Sequence, residues 1–349
     1  MVAIPKSGHT VEVSIIDTGA ILGDIPAAVF CDPQIPGFER FDGVSYVFLI
    51  THTDHAGNIR RVLFDLGTRK DWENLAPHVV TRAKGMEAKL IVKDDVADIL
   101  VREGMATESL EAMIWSHTHI DHVGDPSTFP SNVALVVGPG VKEAFLPGYP
   151  AKQDSPVLET DFANRQVKEL DFTSSDLYIG GLQALDYFGD GSFYLLDAPG
   201  HSIGHVNALA RTTEDSFLLF AGDAYHHPSQ LRPSAEVRLP DHLDIPNFVP
   251  RPCPCELIKK MSPAHSSTEP FSNPGLVSHN KEKAQYTIKC LQEFDADENV
   301  LVVAAHDLSL RPYLDVFPEV ANGWKSKGWK HRSRWEFLKD YKNALEMIH

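Results

Sequence analysis

At 349 residues, with 43% hydrophobic and 23% charged side chains, the chain has the make-up of an ordinary globular protein with enough apolar mass for a sizeable core. Its 48 acidic residues against 32 lysines and arginines leave a formal net charge of -16, which opposes the counterion release that nucleic-acid binding draws on and excludes a polyanion as the expected partner. The first residues carry no long apolar stretch of signal type, and no later run is long enough to span a bilayer, so no membrane association is expected and the chain reads as cytoplasmic.

Short runs rich in Val, Ile, Leu and Phe recur along the chain with turn residues between them. They are VEVSIIDTG from Val11, VSYVFLITH from Val44, RRVLFDLG from Arg60, EAMIWSH from Glu111 and NVALVVG from Asn132. LQALDYF from Leu182, SFYLLDAPG from Ser192, SFLLFAGD from Ser216 and NVLVVAAHD from Asn299 follow. Each predicts a strand. Helical spacing falls between some of them: KDDVADILVREG sets Val96, Ile99 and Leu100 on one face, and NKEKAQYTIKCLQEF does the same with Ala284, Ile288 and Leu291. The sum is an α/β or α+β layered domain over residues 1–349, with sheets packed together and helices outside.

Two stretches depart from that pattern. From His226 to about Ser278 the chain is proline-rich and without periodicity, which predicts an insertion whose residues 230–275 serve as a lid or wall over a site. The tail from about 322 to 349 interleaves Trp324, Trp329 and Trp335 with Lys325, Lys327, Lys330, Arg332 and Arg334. Its tryptophans are expected to pack on the domain or on a partner subunit, a homodimer among the arrangements, with the lysines solvated. Cys31, Cys253, Cys255 and Cys290 make no disulfide framework in a chain this long and are expected as thiols.

The informative stretch is IWSHTHIDHVGD, Ile114 to Asp125, which gathers His117, His119, Asp121 and His122 within six positions after an apolar run. If the run is a strand, His117 and His119 project to one side and Asp121 and His122 follow on the turn. Neutral imidazoles with a carboxylate suit a borderline cation such as zinc better than calcium or magnesium. Three more donors follow later apolar runs: His201 after a Pro-Gly turn in LLDAPGHSIGH, Asp223 in LLFAGDAYHH and His306 in LVVAAHD. Donors at several strand ends can converge on one edge of a sheet.

This pattern resembles the metallo-β-lactamase superfamily. The resemblance implies an αββα sandwich with a dinuclear metal site at one edge, loaded with two Zn2+ per chain. It implies that His117, His119 and His201 hold one metal, that Asp121, His122 and His306 hold the other, and that Asp223 bridges them. Asp65, in LFDLG, would support the histidine loop from behind. Histidine at position 119, where a redox di-iron branch is similar but carries a glutamate, points to the hydrolytic branch. A hydroxide shared by two cations would be the nucleophile, so no serine or cysteine is needed. Among hydrolases the motifs look most like quorum-quenching lactonases and related lactamases. The implied reaction is opening of a small cyclic ester or amide, with lactams of the benzoxazolinone type suggested by analogy. A thioesterase of glyoxalase II or acyl-carrier type and a metal-binding non-enzyme are the alternatives.

In several lactonases a tyrosine stands three residues after the bridging aspartate. Here that position is His226, with Tyr225 before it. His226 is expected to act on the reaction, as a donor to the developing oxyanion or the leaving group, with Tyr225 a lesser candidate and Asp121 a third catalytic residue. His205 is expected to be structural.

Overall fold

Val, Ile and Phe on alternating positions produce strands that bury both faces when a second sheet covers one side and helices the other. In the computed structural model, which describes residues 1–349, six such strands lie side by side in chain order. They are β1 (Val11–Asp17), β2 (Tyr46–Thr53), β3 (Ile59–Phe64), β4 (Ala112–Ile114), β5 (Ala134–Val137) and β6 (Val167–Glu169). The first three pair antiparallel, and β3 to β6 run parallel. A second sheet repeats the arrangement with β7 (Tyr178–Ile179), β8 (Leu182–Asp186), β9 (Phe193–Asp197), β10 (Val206–Thr213), β11 (Ser216–Phe220) and β12 (Val300–Val303). Only its last pair, β11 with β12, is parallel. Strands β9, β11 and β12 therefore run the same way, and their C-terminal ends share one edge.

The helices around the site and the sheets are α1 (Pro77–Gly85), α2 (Val96–Arg102), α3 (Ile120–Val123), α4 (Cys255–Met261), α5 (Lys281–Ala296) and α6 (Lys342–Ile348). Alternation along β2 decides the layers: Phe48 and Ile50 face the second sheet, whereas Val47 and Leu49 face α2 with its Val96, Ile99 and Leu100. Between the sheets the Phe48 and Phe220 rings stack 3.9 Å apart. On the far side Ile288, Leu291 and Phe294 of α5 cover Leu196, Leu209 and Leu219. All nine apolar runs are strands and both periodic segments are helices. Strand β10 was not foreseen because Asn207 and Arg211 interrupt its apolar pattern. Both are buried, and the Arg211 guanidinium donates to the Gly191 and Glu214 carbonyls.

The proline-rich insertion builds a separate apolar cluster. Leu239, Phe248, Ile258 and Phe271 pack with Phe38 and Phe41 from the N-terminal region and with Phe337, Tyr341 and Leu345 from the tail. It also contains a helix, α4, where none was expected. The tail packs on its own chain, with Trp324 and Trp329 inside the inter-sheet core. Lys330 corrects the expectation of solvated lysines: it is 2% exposed, and its Nζ donates to the Asp297 and Val300 carbonyls. All four cysteines are free thiols, and no helix is long and apolar enough to cross a membrane.

Candidate metal centre

Every donor singled out in the sequence sits just beyond a strand's C-terminal end. The IWSHTHIDHVGD motif differs from the expected extended strand, since β4 stops at Ile114, Ser116 to His119 form a loop, and Asp121 and His122 lie in the single turn of α3. His201 follows β9, Asp223 follows β11 and His306 follows β12. The loop carrying Asp223 depends on Gly222, whose φ is +47° and where a Cβ would stand 2.9 Å from His205 Nε2 and 3.1 Å from Ser116 Cβ. Gly200, at φ +129°, lets the turn before His201 lie against α5, where a Cβ would meet the Ala284 nitrogen at 2.0 Å.

Seven side chains converge in two groups, His117, His119, His201 and Asp223 in one and Asp121, His122 and His306 in the other. In the first, His201 Nε2 is 3.1 Å from His117 Nε2 and 2.8 Å from His119 Nδ1. In the second, His306 Nε2 is 3.3 Å from both His122 Nε2 and Asp121 Oδ2. Asp223 lies between them. Its Oδ2 is 3.7 Å from His117 Nε2 and 3.4 Å from His201 Nε2, while its Oδ1 is 3.0 Å from His122 Nε2 and 3.1 Å from His306 Nε2.

Hydrogen bonds behind the ring nitrogens fix which atoms face inward. His306 Nδ1 donates to the Val44 carbonyl at 2.7 Å, and His122 Nδ1 donates to Asp65 Oδ2 at 2.8 Å. Ser116 gives its Oγ hydrogen to the same Asp65 oxygen at 2.8 Å, leaving Oγ to accept from His117 Nδ1 at 3.0 Å. In the first group, rings that are neutral turn nitrogen lone pairs toward one another and toward Asp223, so acceptors face acceptors. A cation resolves that conflict. Three nitrogens around one zinc at roughly 2.0–2.1 Å stand about 3.3 Å apart, close to the spacing of the first group, so the residues fit the metal the donor chemistry implies. Asp65 carries this support from a left-handed backbone, φ 65°, with its Oδ1 accepting the Ser116 N–H at 2.6 Å.

The electrostatics follow the same division. Burial pushes His119 down to about 4 and His117 and His201 well below the ordinary imidazole value, so these three are neutral. Burial also disfavours charge on His122 and His306, but the facing Asp223 carboxylate outweighs it, with Asp65 adding to the effect at His122 and Asp121 at His306. His122 is raised well above its usual range and His306 to about 9. Asp223 is held well below the usual carboxylate range by His122, His306 and His226, against its own burial.

Around the seven, His205 is structural. Its Nδ1 donates to the Ala198 carbonyl at 2.9 Å, and its Nε2 accepts the Asp223 N–H at 3.0 Å. His226 stands beside the first group, with Nε2 3.4 Å from Asp223 Oδ2 and making no hydrogen bond. Its ring lies 4.7 Å from Phe30 and 4.8 Å from His201. Tyr225 points the other way, into the core beneath the second sheet among Leu219, Leu231 and Ala304, and is 1% exposed. That burial holds the Tyr225 side chain away from the cavity, unlike the catalytic position expected for it.

A cavity of about 530 Å³ opens over His119, Asp121, His201 and Asp223. The body of the insertion does not line it, against the expectation for residues 230–275; only the segment just beyond, Leu276 to His279, forms part of the wall. The insertion acts from behind through Gln230, whose Oε1 accepts the His226 N–H at 2.7 Å and whose Nε2 donates to the Phe30 carbonyl at 3.0 Å. Gln230, Phe30 and the lining face of α1 were not foreseen from the sequence, because no spacing links them to the donors.

Residues 41–306 match the family model described as the metallo-beta-lactamase superfamily. The chain belongs to that superfamily. It is 44% identical over 350 residues to "Gamma-lactamase FDB1" of Fusarium pseudograminearum (strain CS3096), spanning 97% of this chain and 84% of that relative. It is 41% identical to "Metallo-hydrolase mfmC" of Annulohypoxylon moriforme, spanning 99% of this chain and 91% of the relative. Among solved structures, an N-acyl homoserine lactone hydrolase with N-hexanoyl-L-homoserine bound at its catalytic metal centre superposes with a TM-score of 0.59. It is 20% identical, covering 89% of this chain and 99% of that one, a likeness of fold.

Proposed function

We propose that this superfamily member hydrolyses a small lactam or lactone at a centre of two zinc ions. The observation that carries the reading is the Asp223 carboxylate, with one oxygen toward each group of histidines. His117, His119 and His201 would hold one ion, Asp121, His122 and His306 the other, and Asp223 both. A relative called a gamma-lactamase, similar over 97% of this chain, supports a cyclic amide as the substrate. Bound there, two divalent cations lower the pKa of water toward neutrality and withdraw electron density from the substrate carbonyl.

The chain's own residues then have distinct tasks. Asp65 and Ser116 hold the His117 and His122 rings in the tautomer that presents Nε2, and Val44 does the same for His306. His205 and Gly222 fix the height of Asp223. Ring opening adds hydroxyl to the carbonyl carbon and a proton to the departing nitrogen or oxygen. His226, buried with Nε2 free of any hydrogen bond, is placed to donate toward the oxygen that gains charge or toward the leaving atom. Asp121, on the cavity wall, is placed to receive and return a proton. Phe30, Ile203 and Leu276 give that wall an apolar surface that sheds water.

The test is a hydrolysis screen of lactams, benzoxazolinone among them, lactones, thioesters and phosphotriesters on zinc-reconstituted protein, with metal content measured alongside. Opening of a lactam or lactone that chelation abolishes and zinc restores is expected. A preference for thioesters would replace the reading with a thioesterase, and two bound metals without hydrolysis of any acyl substrate would replace it with a metal-binding protein.

A further inference from the structure

Helix α1 has no buried residue along its nine positions. Helices this short normally depend on packing an apolar face into the core. The face that α1 could pack, His78, Val79, Arg82 and Ala83 with Met86 one turn on, lines the cavity above His119 and Asp121 instead. Positions i, i+1, i+4, i+5 and i+8 form one stripe, so the wall is a helix surface whose packing partner is whatever the cavity holds.

The charges on α1 divide the same way. Lys84, pointing off the cavity, is 2.6 Å from Glu73 and lies over the Trp72 ring. Arg82, on the cavity stripe, makes no ion pair and no hydrogen bond, although the chain carries 48 acidic residues against 32 basic ones. Asp154 lines the same cavity without reaching ion-pair distance of it. Phe30, Ile203 and Leu276 line the same cavity, the last 75% exposed. A volume of about 530 Å³ leaves most of the space unfilled by a bare five-membered ring.

We propose that the substrate carries a carboxylate on an arm extending from the scissile ring, and that Arg82 receives it while Val79, Ala83, Met86 and Leu276 take the apolar body between. A guanidinium fork matches a carboxylate in a two-bond geometry that a lysine cannot reproduce, and a partner-free arginine gives up no existing ion pair to form it. The inference rests on the lactam and lactone hydrolase reading for its chemistry, and on the α1 geometry for its selectivity.

The experiment compares an α-amino-γ-butyrolactone acylated with glutarate against its methyl ester, and the matched lactam pair, on zinc-loaded protein. Arg82→Ala is expected to lower the acid-to-ester ratio of kcat/KM by about 10-fold or more, through KM, with metal content unchanged. Arg82→Lys should recover part of the ratio. Lys84→Ala removes the same charge from the same helix and should leave the ratio as it was. Calorimetric binding of 4-phenylbutyrate against 4-phenylbutyramide gives a second readout. Any coordination of the carboxylate to zinc is common to both proteins, so the difference between wild type and Arg82→Ala isolates the arginine. If wild type opens no ring, the hydrolase reading fails while the binding comparison still decides Arg82. An unchanged acid-to-ester ratio, an unchanged phenylbutyrate affinity in Arg82→Ala, or an equal loss in Lys84→Ala overturns the proposal.

Discussion

Of the buried polar clusters in this molecule, the one around Arg232 and Asp295 is closed by its own hydrogen bonds and the one at the metal edge is not. Beneath the tail, Arg232 donates to both oxygens of Asp295 at 2.7 and 2.6 Å and to the Arg334 carbonyl at 3.0 Å, and Lys330 donates to the carbonyls of Asp297, which caps α5, and Val300, which begins β12. Burial would push the Asp295 carboxyl up, yet the Arg232 charge holds it at about 2. At the metal edge, ring nitrogens face other nitrogens, and His201 Nδ1 and His226 Nε2 find no hydrogen-bond partner. Buried groups are rarely left in that state. The difference separates a cluster that holds the fold from a cluster arranged for something the fold itself does not provide.

Replacing the central residue of each cluster should therefore have opposite consequences. Asp223→Ala is expected to reduce bound metal below two per chain and to lower the hydrolysis rate on the order of 10³-fold or more, while the metal-free protein still folds. Metal analysis, kinetics and thermal unfolding of both forms check this together. Full metal content with full rate would remove Asp223 from the shared position. Asp295→Ala should do the reverse, costing about 3–5 kcal/mol because the Arg232 charge is left buried and unpaired, with metal content per folded molecule unchanged. Denaturant titration measures it, and a loss within experimental error would mean that the two clusters are not as different as their geometry implies.

His226 sharpens the comparison, since it belongs to the incomplete cluster without being one of the seven donors. His226→Ala should keep both metals and the fold while losing roughly 10²–10³ in rate if the ring donates to the developing charge. A change confined to KM would make it a binding residue, and loss of metal would make it a ligand.

How far the sequence reached depended on whether neighbours in space were also marked along the chain. The donors could be read because each follows an apolar run, as with Asp223 after SFLLF and His306 after NVLVV, and a strand end is a fixed position. The support behind them was partly legible, with Asp65 at the end of its own strand. Gln230 holds His226 from within a stretch that looks like any polar loop, and Phe30 approaches His226 from about two hundred residues away. Tyr225 and His226 are adjacent in sequence, and only the backbone path decides which of them faces the donor cluster. Strand β10 was hidden because its polar residues are buried, and Lys330 was misjudged because no local pattern announces two carbonyls contributed by another segment.

Lys330 also supplies the mildest test of the complete cluster. Burial lowers its amine from the ordinary lysine value to about 8, with Arg232 and Arg334 adding to that effect and Asp295 opposing it. The folded chain then binds fewer protons than the unfolded chain between about pH 8 and the unfolded lysine value, so stability should rise with pH across that window. Below it the cost of holding a charged amine inside is fully present. A neutral amine keeps two hydrogens, enough for both the Asp297 and Val300 carbonyls, so deprotonation relieves charge without breaking either contact. Burial raises the Tyr46, Tyr225 and Tyr341 phenols well above their usual range, and their ionisation works against the fold at higher pH, so the comparison belongs below about pH 9.5. Between pH 8 and 9.5 the stability of wild type relative to Lys330→Met should rise by about 1–2 kcal/mol, read from denaturant midpoints at matched ionic strength. A flat difference would mean that Lys330 keeps its charge inside, with Asp295 shared between it and Arg232.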